Sequence, residues 1–93
     1  MEAALSVKIS DDFVLLGKKH QREILIFEDQ VFDWTDDQLI DELRKIVPAY
    51  QLLCNLASEE KDPRSWRKLV YHSRMIDLKK TIMENELVRR EYR

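Results

Sequence analysis

Glycine occurs once in this 93-residue chain, cysteine once and proline twice. Each scarcity closes off a kind of chemistry. A phosphate-cradling loop needs several residues without a Cβ so that the backbone can approach the anion, and Gly17 alone cannot supply one. Cys54 has no second cysteine to pair with, so an internal disulfide is excluded. No run of about 18 apolar residues is present, which argues against a membrane span. The opening "MEAALSV" is too short and too acidic for a secretory leader. These features together describe an intracellular, cytoplasmic and soluble protein with no membrane partner.

What the chain has in abundance is charge. Charged residues make up 37% of it, against about 25% in an average globular protein. With so little glycine, that composition favours helix over loop. The 44% apolar content is enough for one core, and the length suits a single domain over 1–93. The net charge of −2 is unevenly placed: residues 1–62 hold 14 acidic and 7 basic side chains, residues 63–93 hold 4 and 9. Such asymmetry marks a nucleic-acid arm or two surfaces meant to meet.

The local patterns predict an α+β fold. Leu5, Val7 and Ile9 alternate with polar residues in "LSVKIS", the period of a half-buried strand. "FVLLG" and "REILIF" read as two more strands, with Gly17 supplying an unusual backbone angle between them. "EDQVFDW" adds a possible fourth. Residues 1–34 thus read as an N-terminal antiparallel β-meander of three to four strands.

From Thr35 the period becomes helical. Thr35 and Gln38 fit a capping box, and Asp36 and Asp37 suit the positive end of a helix dipole. Leu39, Leu43, Ile46, Tyr50, Leu53 and Ala57 then form one apolar stripe. Pro48 interrupts it without changing its phase, so residues 35–60 read as a proline-kinked helix. Asp62 as cap and Pro63 as first helical residue open a long C-terminal helix over 63–92.

That last helix carries apolar residues on two faces. Trp66, Leu69, Val70, Ile76, Met83, Leu87 and Val88 make a broad one. Tyr71, Met75, Leu78 and Ile82, spaced four, three and four, make a narrow stripe nearly opposite. Arg64, Arg67, Arg89 and Arg93 bracket the narrow stripe, which gives an apolar centre with an arginine rim, the anatomy of an interface. The acidic stretch from Glu28 to Glu42 is its natural complement. The partner-binding residues expected on this basis are Arg64, Arg67, Tyr71, Met75, Leu78, Ile82 and Arg89, and the partner is another protein or a second copy of the chain.

No constellation suggests catalysis. His20 and His72 lack metal-ligand neighbours at a useful spacing. Cys54 lies beside an apolar helical stripe, where a small hydrophobe belongs. Asp33, Asp37 and Asp41 recur every four residues but lack the glycine turn of a calcium loop. The expectation is therefore a non-enzymatic protein-interaction module, an adaptor, assembly factor or regulator, without cofactor or metal. The alternative is a nucleic-acid-binding regulator that uses the basic C-terminal helix, with Trp66, Tyr71 and Tyr92 available for stacking.

Overall fold

A computed structural model describes residues 11–91, and its architecture is all-helical. A four-residue turn of helix, α1 (Asp11–Val14), precedes three longer helices: α2 (Lys18–Val31), α3 (Asp36–Glu59) and α4 (Pro63–Glu91). No strand occurs among the described residues. The α+β expectation, with its N-terminal β-meander, is thus overturned. "FVLLG" forms α1 and the turn after it, "REILIF" lies inside α2, and "EDQVFDW" spans the end of α2 and the turn into α3. The "LSVKIS" segment falls outside the described residues.

The reason is a helical stripe that the period-two pattern conceals. His20, Ile24, Phe27 and Val31 are spaced four, three and four, which places them on one helix face. In a strand, Ile24 and Ile26 would share a face. Here they are 0% and 49% exposed respectively, because two helical steps turn the side chain through roughly 200°. Gly17 has φ −67° and ψ 157° and simply precedes α2 as its N-cap residue; no described residue has positive φ.

The turn Phe32–Thr35 closes with Asp33 and Trp34 amides donating to the Gln30 and Val31 carbonyls, each at 3.1 Å. The capping box is present: Gln38 N–H donates to Thr35 Oγ1 at 3.1 Å, and Thr35 N–H to Gln38 Oε1 at 2.8 Å. α3 then continues through Pro48 as one helix of 24 residues. Asp62 caps α4, accepting from the Ser65 N–H at 3.1 Å and the Ser65 hydroxyl at 3.0 Å.

α4 is the central element. α3 packs along it, α2 packs against it, and α1 touches it. Arg90, near the end of α4, meets Asp36 at the start of α3, so α3 and α4 are antiparallel. Tyr71 meets the start of α2 and Arg90 its end, so α2 and α4 run the same way. The result is an up-down-up helical bundle. Its buried core consists of Phe13, Leu16, Ile24, Val31, Leu39, Leu78, Ile82 and Met83. None of these lies between residues 40 and 77. At about 1.5 Å per residue, α2 spans only some 20 Å of the roughly 40 Å of α4. Because Tyr71 meets the start of α2 and Arg90 its end, only the last turns of α3 and the first turns of α4 extend past α2, as a short two-helix arm.

Candidate interaction surface

The two apolar faces of α4 are occupied by the chain itself to different degrees. On the narrow stripe, Leu78 and Ile82 are 2% and 5% exposed, inside the core, while Tyr71 and Met75 are half-buried against it. The stripe expected to face a partner is thus turned toward the domain's own helices, α2 being the element that supplies the cover. From the broad face, Met83 is buried and Leu87 packs against the core, but Trp66 and Val88 are exposed.

The arginine rim divides in the same way. Arg64 and Arg67 are exposed on the first turns of α4. Arg89 is engaged: its Nε donates to Glu86 Oε1 at 2.9 Å and its Nη2 to Glu86 Oε2 at 2.5 Å, while the guanidinium lies 5.3 Å from the Phe32 ring centroid. Arg93 falls outside the described residues. Arg90, which sequence reasoning passed over, is the residue that meets the acidic stretch, donating to Asp36 Oδ1 at 2.7 Å. It also donates to Glu86 Oε2 at 2.7 Å and to the Val31 and Phe32 carbonyls, both at 3.4 Å, at the C-terminal end of α2. Glu86, almost wholly buried, is the hub. Hydrogen bonding from Arg89 holds its carboxyl below the usual range; burial opposes that shift, and Arg90 reinforces it. A cleft of about 50 Å³ lies there, between Val31, Phe32, Ile82 and Glu86.

A second polar cluster ties α2 to α4. The Tyr71 hydroxyl accepts from Gly17 N–H at 3.1 Å and lies 2.5 Å from His20 Nδ1. Having accepted from Gly17, the hydroxyl still has a proton to give to the ring nitrogen of a neutral imidazole. His72 is exposed beside this cluster and lines a shallow groove with His20, Glu23, Met75 and Lys79. Among the described residues no three His, Cys, Asp or Glu side chains are placed to hold a metal ion.

What sequence reasoning missed is the outer flank of α3. Ile40 and Val47 are exposed there, Val47 at 48%; Leu52 and Leu56 are exposed too, but roughly 120–180° around the helix from them. Leu39, Leu43 and Ile46 belong to the inward stripe and are buried or packed on the core. Ile40 and Val47 stand seven residues apart, beside that stripe, and with Leu43, Arg44 and Pro48 they line an open apolar groove. The spacing is visible in the sequence. The exposure follows only from the packing: α2 docks on α4 and leaves this side of α3 uncovered.

No helix among the described residues is long and apolar enough to cross a membrane. No protein-family model, curated protein or solved structure matches the chain.

Proposed function

We propose that this chain is a small, non-enzymatic protein-interaction module whose recognition surface is the exposed flank of α3 around Ile40 and Val47. One observation carries the reading: Ile40 and Val47 stand exposed on the side of α3 that no other helix covers, where they line an open apolar groove with Leu43 and Pro48. Each such side chain left in water forgoes about 1.5–3 kcal/mol of burial. Covering that flank with another helix recovers that energy and leaves the bundle unaltered. Arg44 beside the groove provides a polar edge to the patch.

A second reading rests on the tip of the arm. Trp66 is 47% exposed, with Arg64, Arg67 and Lys68 exposed around it, a grouping suited to stacking on a base between phosphate contacts. Affinity capture from nuclease-treated lysate, with wild type and Val47→Glu compared, separates the two. The module reading expects a protein retained after nuclease treatment by wild type and released by Val47→Glu. Capture that vanishes with nuclease, and that depends on Trp66 and Arg67 instead of Val47, replaces it with the nucleic-acid reading.

A further inference from the structure

We propose that the α3 groove is built to receive a second copy of this chain, α3 against α3 in antiparallel alignment. This rests on the interaction-module reading and names the partner. The groove presents Ile40, Leu43 and Val47 as an apolar ridge, with Arg44 along one side of it. Asp37 and Asp41 lie on that same side: at 100° per residue Asp37 is roughly 20° and Asp41 roughly 60° from Arg44 around the helix. All three charged residues are exposed, and none is in an ion pair among the described residues.

A two-fold axis perpendicular to two antiparallel helices sets each flank against the same flank of the other copy, so a residue and its counterpart exchange roles. With the axis between Glu42 and Leu43, two kinds of contact come into register together. Ile40 of one copy falls between Leu43 and Val47 of the other, as a knob in a hole. Arg44 falls opposite Asp41 of the other copy, with Asp37 one turn further along. Both pairings occur twice by symmetry. Parallel alignment would instead set the charged flank of each copy against the opposite flank of the other, leaving Arg44 and Asp41 without a counterpart. The apolar ridge and the charges beside it therefore select the same orientation.

Sedimentation velocity of the full chain at physiological salt, from about 10 to about 500 µM, covers the affinities at which a patch of this size associates. Wild type is expected to rise with concentration from the monomer mass of 11.2 kDa toward twice that value. Arg44→Asp and Asp41→Arg should each weaken self-association by about tenfold or more, since each sets like charges in apposition. Mixing the two variants should restore association. On one side of the axis the introduced carboxylate then faces the introduced guanidinium, and on the other the native Arg44 faces the native Asp41. A single chain carrying both substitutions should also dimerise, which keeps the test decisive if one variant folds poorly. A wild type that stays monomeric throughout, or variants that self-associate as wild type does, overturns the proposal. If Val47→Glu nonetheless loses a captured protein, the module reading stands with a foreign partner; if nothing is captured either, both fall.

Discussion

Glu86 shows how one side chain can hold three helices at once. It is almost wholly buried, yet it accepts from Arg89 and Arg90, and Arg90 in turn reaches Asp36 on α3 and the last carbonyls of α2. A carboxylate whose pKa is lowered in the folded state contributes stability above its unfolded pKa and loses it as pH falls through the folded value. Glu86→Gln is therefore expected to cost about 1–2 kcal/mol at neutral pH in urea unfolding, the worth of charge-assisted hydrogen bonds to a partly exposed arginine pair. The difference from wild type should shrink as pH drops below the usual carboxylate range; a gap that persists unchanged there would remove the charge from the account. Gly17 offers the opposite case. Its backbone is ordinary, no side chain caps α2, and an added Cβ would sit 3.8 Å from the Tyr71 hydroxyl, an ordinary contact. Gly17→Ser, which supplies a cap oxygen and stiffens the unfolded chain, is expected to raise stability by about 0.5–1 kcal/mol in the same assay.

At the scale of the element, α2 decides between the two folds. If residues 22–27 were a strand, Ile24 and Ile26 would be equivalent; in the helix one is buried and the other is not. Ile24→Ala should cost about 2–4 kcal/mol and Ile26→Lys under about 0.5 kcal/mol by thermal or urea unfolding. Equal costs would bring the meander back. The helices after Thr35 were legible because their signals are local and chemical: the Thr35–Gln38 box, the Asp62–Pro63 start and the stripe from Leu39 to Ala57 each act within a turn or two. The first part was not, since "EILIF" satisfies both periods over five residues. Only the longer spacing from His20 to Val31 separates them, and it has to bridge the polar Glu28 to Gln30. Pro48 was legible as a perturbation and less so in its outcome. Its missing N–H leaves the Arg44 carbonyl without a helical donor, but α3 stays continuous because Leu43, Ile46 and Tyr50 remain in phase against the rest of the bundle. Pro48→Ala is expected to stabilise the protein by about 1–3 kcal/mol, the cost of an interior helical proline less whatever strain α3 has already relieved.

For the molecule as a whole, the distribution of the core matters more than its size. Every buried apolar residue of the core lies within 13–39 or 78–83; the stretch between contributes only half-buried contacts, from Leu43, Ile46, Tyr71 and Met75. The candidate site depended on the packing too, and that is why its α3 residues were not legible: Ile40 and Val47 become surface because α2 docks on α4 and leaves their side of α3 uncovered, a tertiary fact that no local pattern in α3 encodes. The narrow α4 stripe is not a free surface because α2 runs beside all of it, from Tyr71, which meets Gly17 and His20, to the buried Ile82. Local stability should follow the same division, because opening a segment costs the burial it gives up. Amide hydrogen exchange is thus expected to be fastest in about residues 47–70 and slowest in residues 24–31 and 78–87, with protection in the slow group lost only on global unfolding. Leu78→Ala, at about 2–5 kcal/mol, should remove a large part of the roughly 5–15 kcal/mol that holds a domain of this kind together. Leu52→Ala should leave stability within about 0.5 kcal/mol. Protection spread evenly along α3 and α4 would mean that the arm is already covered in the free protein. Protection that rises in about residues 37–48 with protein concentration, and nowhere else, is the pattern expected of the α3 pairing, since only the docked flank gains burial when two copies meet.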